Sequence, residues 1–174
     1  ITLTDPGNAV TTITLQARNA ANTADAAGAI AYRDSDGVDV GGVRTTSTFD
    51  LTTNGPITSS GALIVGGPTT LTAGAANNIT LNNANDFSTV SVVSGNNVVL
   101  NDVNALDLGA STVSGTLTVT SGGALTQSGA VTAPNLAVTS SGPVTLTNPA
   151  NDFDTVAAQV NGAGNGLQLA DVGA

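Results

Sequence analysis

The chain repeats itself, and the repeat leaves few folds open to it. Residues 84–87 read ANDF, and residues 150–153 read it again, so Phe153 repeats Phe87 at an offset of 66. The text before each copy also matches: ITLNNANDF from Ile79 and VTLTNPANDF from Val144, with one residue inserted. A third, weaker copy opens the chain as ITLTDPGNAV, where Pro6 corresponds to Pro149 and Asn8 to Asn151. A second block, TFDLTTNGPITSSGAL from Thr48, lies over TLTVTSGGALTQSGAV from Thr116 at an offset of 68, without gaps. A third block pairs IAYRDSDGVDVG from Ile30 with VVLNDVNALDLG from Val98 at the same offset. It recurs at the C-terminus as GLQLADVGA, with Asp171 and Val172 in the places of Asp102 and Val103. Residues 1–174 thus form a single segment of about two and a half copies of one unit, with a period of 66–68.

The unit is itself composite. Strand-like pieces begin at residues 117, 136 and 156, at steps of 19 and 20. Each unit therefore reads as three coils of roughly 19–23 residues, with about eight coils in the chain. Turns such as SGG, SSG, NG and GAGNG separate the strands. One coil of this size cannot bury its own apolar face, but stacked coils share a core and pair their backbones along an axis. The expected fold class is all-β, a parallel β-helix or β-solenoid. Eight coils at the ~4.8 Å strand spacing give a rod of roughly 40 Å.

Alternation within strands supports this. In TLTVT, Leu117 and Val119 point one way and Thr116, Thr118 and Thr120 the other. Ile79 with Leu81, and Val144 with Leu146, repeat the pattern. The aliphatics are expected to form inward ladders and the threonines outward ones. Asn83, Asn85, Asn148 and Asn151 fall at coil corners, where stacked amide ladders are expected. Phe87 and Phe153 occupy equal positions three coils apart and are read as core or corner fillers.

Composition excludes much chemistry. The chain has no His, Cys, Met or Trp, all three bases are Arg, all twelve acids are Asp, and the net charge is −9. Imidazole acid–base catalysis, thiol nucleophiles, Cys/His zinc sites and disulfides are ruled out. Three arginines do not make a nucleic-acid groove, and no apolar run approaches the ~18 residues of a membrane span. A carboxylate pair for glycoside hydrolysis exists at Asp152 and Asp154, but the preceding copy has Asp86 and Ser88 there. No phosphate-binding glycine loop is present. The chain reads as non-catalytic, with no cofactor.

The stretch 16–44 departs from the pattern. It holds all the bases, Arg18, Arg33 and Arg44, and the only Tyr, Tyr32. Ile1 and Ile79 stand at an offset of 78 rather than 66–68, so an insertion is expected and is placed at 19–28. An insertion in a solenoid becomes a loop on one face. The run DSDGVD offers Asp34, Asp36 and Asp39 as candidate calcium ligands around a glycine turn. The remaining ligands of a calcium loop are missing, and a plain Asp/Gly turn is the competing reading.

The strings ANDF, NALDLG and GALTQSGAVT resemble the repeat arrays of filamentous haemagglutinin-like exoproteins of two-partner secretion and related autotransporter passengers. The resemblance covers nearly the whole chain. It implies a right-handed parallel β-helix on the outer surface of a Gram-negative cell, or secreted from it. It also implies a long stalk serving adhesion, aggregation or biofilm formation. The family's repeat regions carry no catalytic motif.

The leading expectation is an extracellular structural rod of an adhesin-like protein. Its partners would be neighbouring repeats and a host-cell or matrix glycan or protein receptor. Two alternatives stand beside it. One is a filament subunit stacking end to end on copies of itself, expected because both ends fall within a unit. The other is a glycan- or calcium-binding module built on residues 19–44.

Overall fold

Short strands follow one another from the first turn to the last, and every pairing between them is parallel. The structure, a computed structural model, describes residues 1–172. One side of the coil is traced by Val38, Ile57, Ile79, Val98, Leu117, Leu136 and Val156, each paired with the next. The other side runs through Ile30, Phe49, Thr69, Val90 and Leu108. It continues from the same strand through Leu106, Leu125, Val144 and Leu167. The fold is an all-β solenoid of about seven turns. With the strand Thr12–Gln16, which pairs with Val38–Thr45, the first side stacks eight strands, seven steps from first to last, in keeping with the eight coils expected. The loop at 17–29 lengthens the first turn: Thr12 pairs with Asp39, a wider step than Val38 to Ile57 or Val98 to Leu117.

The two sides alternate along the chain, so the natural unit is the half-turn. In the first copy the half-turns are Ile30–Arg33, Val38–Thr45, Phe49–Thr52, 57–65, 69–72, 79–87 and 90–94. That makes seven, and the second copy begins at Val98. An odd number exchanges the sides. Val38 lies on the first side, whereas its counterpart Leu106 lies on the second. Phe49 lies on the second, and its counterpart Leu117 on the first. The sequence reading of three coils per unit is thereby corrected to three and a half. A period of 66–68 divides into three coils of 22 or three and a half of 19, and periodicity alone does not choose.

The half-turns are of two kinds. Straight ones hold a single run such as Phe49–Thr52 or Val98–Asp102. Bent ones hold two short runs around a corner: 38–40 with 43–45, 57–59 with 63–65, and 79–81 with 85–87. In the second copy the bent half-turns are 106–108 with 111–113, 125–127 with 131–133, and 144–146 with 151–153. The bent side of the coil is therefore the first side in one copy and the second side in the next.

Inward positions from both sides merge into one apolar core. Leu117, Val119, Ile79, Leu81, Val144 and Leu146 are buried, as their alternation requires. Phe87 and Phe153 are buried too, but three and a half turns apart and on different sides. Three of the straight runs end in a buried hydroxyl that donates to the carbonyl two residues on. Thr53 donates to Gly55, Ser121 to Gly123 and Ser140 to Gly142. This satisfies a corner carbonyl that no strand covers.

One inward residue breaks the pattern. Thr69 is buried between Phe49 and Val90 of the adjacent turns, and its Oγ1 has no hydrogen-bond partner. Valine has nearly the same shape without the stranded hydroxyl. Thr69→Val is expected to stabilise the fold by about 1–2 kcal/mol, measured as a rise in the urea midpoint at constant slope.

Candidate functional site

The densest polar construction lies at the corners that hold the ANDF strings. Asn85 is fully buried. Its Nδ2 donates to the Leu81 and Asn101 carbonyls, both at 3.0 Å, and its Oδ1 accepts the Leu63 amide at 2.9 Å. It thus ties three successive turns. Asp102, in the turn above, accepts the Phe87 amide at 2.7 Å and the Asn104 amide at 3.1 Å. The second copy repeats this. Asn151 donates to Leu146 and Ala170 and accepts from Val131, while Asp171 accepts the Phe153 amide at 2.8 Å. The opening copy holds a shorter version: Asn8 donates to Leu3 and Arg33, and Asp34 accepts the Val10 amide.

The candidate calcium ligands belong largely to this construction. Asp34 is fully buried, and its carboxylate accepts from the Val10 amide, the Tyr32 hydroxyl at 2.7 Å and the Asp36 amide. Asp36 is exposed beside it. Asp39 turns elsewhere, accepting from Thr58 and Ser60 of the next turn. Among the described residues no three carboxylates gather as ligands. Asp107 reproduces the Asp39 arrangement with Thr126 and Ser128, on the other side of the coil.

The expected amide ladder at Asn83, Asn85, Asn148 and Asn151 does not form. Asn83 donates instead to the Ser59 carbonyl, and the counterparts in the next copy lie across the coil rather than above. A smaller ladder exists where sequence reading had not placed one. Asn78 Oδ1 accepts the Asn97 amide, and Asn97 Oδ1 accepts the Thr116 amide. Recurrence of Asn one coil apart, at residues 78 and 97, was the available signal.

Among the described residues, the loop at 17–29 carries the one antiparallel contact outside the parallel ladders, Arg18 with Asp25. Asp25 meets both Arg18 and Arg44. Hydrogen bonds from Arg44 and then Arg18 hold its carboxyl below the usual range. Asn19 Oδ1 accepts the Thr23 amide and closes the tip. Arg33 stands exposed on the second side.

The buried acids titrate in opposite directions. Burial opposes ionisation of Asp34, but hydrogen bonds from Tyr32, Asp36 and the Val10 amide outweigh it and lower its pKa. Burial also pushes the Tyr32 phenol up to about 12, helped by its bond to Asp34. For Asp102 burial wins over the Phe87 and Asn104 amides, and its pKa is raised. Asp34 therefore adds stability above the unfolded-state pKa, lost as pH falls through its lower folded value. Asp102 acts in reverse: its contribution is full at low pH and is lost as pH rises through its raised folded value. Carboxyl-carbon NMR titration should place Asp34 below and Asp102 above the ordinary value of 3.8. Reversed order would contradict these environments.

Taken together, parallel turns, a shared core and corner staples that recur once per copy define a β-solenoid repeat protein. No curated protein and no solved structure matches the chain. A family model does match, described as repeats of unknown function (DUF5649), over residues 27–94 and 95–160. The chain belongs to that family. The two matched segments begin at 27 and 95, the same offset at which the blocks from Thr48 and Thr116 align.

Proposed function

We propose that the chain is a stretch of a non-catalytic extracellular rod that holds other parts of a bacterial surface or secreted protein away from the cell. The observation that supports it is where the polar groups go. The buried Asn and Asp side chains are spent on amides and carbonyls of neighbouring turns. Such groups serve length and regularity rather than a ligand. The resemblance to filamentous haemagglutinin-like exoproteins adds the finer reading: export across a Gram-negative outer membrane and a role in adhesion. A host-cell or matrix glycan or protein would then be met by parts that the rod carries.

Each repeat of three and a half turns adds ~17 Å at the ~4.8 Å strand spacing. Removing two repeats from the native protein on its own cells should therefore bring its outermost epitope ~34 Å closer to the surface. Ligand binding by the detached outer part should be unchanged. Unchanged reach, or ligand binding that resides in the repeats themselves, would overturn the reading.

A further inference from the structure

We propose that the Asn–Asp staple is the device that lets the coil exchange its bent and straight sides once per repeat, so that the array has a true period of two repeats rather than one. The argument is one of path length. Within a copy, bent half-turns stack on bent and straight on straight. At a copy boundary two straight half-turns follow each other, 90–94 and 98–102, and the stacking goes out of step. The bent run 79–87 is then covered by Val98–Asp102, about half its length. The backbone around residues 83–87 loses part of the strand that would have paired with it. The staple supplies what is missing. Phe87 gives its amide to the Asp102 carboxylate, and Asn85 reaches up to the Asn101 carbonyl and down to the Leu63 amide.

The same mismatch occurs at the other boundaries, and the same side chains answer it. The run 144–153 is covered by residues 167–171, with Asn151 and Asp171 in place. Residues 1–10 are covered by 30–34, with Asn8 and Asp34. Three other straight half-turns end in a hydroxyl, at Thr53, Ser121 and Ser140, and the run 69–72 ends at Ala73. The first one of a copy ends in Asp. The carboxylate reaches further and accepts two amides at once, which a hydroxyl at a matched corner has no need to do. A group at any one repeat position therefore faces alternate sides along the rod, as Asp39 and Asp107 do with their Thr and Ser partners.

Spin labels test the exchange of sides. Thr118 lies in the same ladder as Thr58, three strand spacings away, or ~14 Å between backbones. Asp50 is the repeat counterpart of Thr118 but sits on the other side. With cysteine labels at Thr118 and either partner, the Asp50 distance should be the longer, because it crosses the core. A repeat of three whole turns would reverse that order, and such a result would overturn the proposal. The staple itself is tested by hydrogen exchange in the unmodified chain. The Phe87 and Leu63 amides should exchange as slowly as core-strand amides, and exchange at the rate of exposed turns would refute their role. In Asn85→Ala/Asp102→Ala the Asp50–Thr118 distribution should broaden while an Asp50–Thr58 pair within one copy stays narrow. A folded variant in which the first distance is unmoved would also refute it.

Discussion

Asn85→Ala is expected to lower the folding free energy by about 3–5 kcal/mol. The side chain is fully buried and makes three hydrogen bonds, two donated and one accepted. Alanine removes the amide and leaves the Leu63 N–H and the Leu81 and Asn101 carbonyls buried with fewer partners. Each stranded group costs about 1–3 kcal/mol, and the space left behind is polar and poorly filled. Asn82, three positions away, is exposed, and Asn82→Ala should stay within about 0.5 kcal/mol. Urea unfolding of the two variants against the parent chain measures the contrast. A loss under about 1 kcal/mol at Asn85 would mean that water already serves these groups and that the corner is not dry.

The second large effect is expected at Gly61. Here the turn passes so close to the one below that a Cβ would be built into the Gly41 carbonyl. The obstacle is backbone rather than a movable side chain, so the stack itself would have to part. Gly129, the counterpart in the second copy, meets the backbone of Ala110 in the same way. Gly61→Ala and Gly129→Ala should each cost about 3 kcal/mol or more. Gly166 has nothing within 4 Å of the same added atom. Gly166→Ala should be neutral or slightly stabilising, by up to about 1 kcal/mol through the unfolded chain. Thermal unfolding of the three variants decides the matter. Equal behaviour at Gly61 and Gly166 would show that neighbouring turns do not approach as closely as the fold requires.

Much of this architecture can be read from residues alone, and the reasons are local. Alternation such as Leu117, Val119 against Thr118, Thr120 fixes which face is inward, because the strand period is two. Recurrence of TSSG and TQSG marks corners, because hydroxyl and glycine residues are what a tight corner needs. The phase of the repeat is harder. Matching text shows that Val38 and Leu106 are alike but not that they lie on different sides, since two half-turn strands of similar length and pattern look the same in sequence. The role of Asp34 is hidden for a related reason. DSDGVD has the composition of a turn or a cation loop, and its true partner, the Val10 amide, belongs to the preceding turn. A signal is present all the same. Each Asn of the ANDF strings is followed one turn of the coil later by an Asp: Asn85 by Asp102, and Asn151 by Asp171.

The same physics explains why the chain spends so few charges. In a stack of turns, like charges at one position would repeat at ~4.8 Å along the ladder, and like charges directly opposite are destabilising. Neutral Thr, Ser and Asn avoid that cost and bond to the turn above. Where Asp occurs at Asp39 and Asp107, the next turn offers hydroxyls at the matching positions.

Small-angle X-ray scattering on tandem arrays of two, four and six repeats tests the central claim most directly. A rod built by stacking turns predicts that the maximum dimension grows by ~17 Å per repeat, while the cross-sectional radius of gyration stays constant. A cross-section that widens with repeat number, or a length that fails to grow in proportion, would contradict the account.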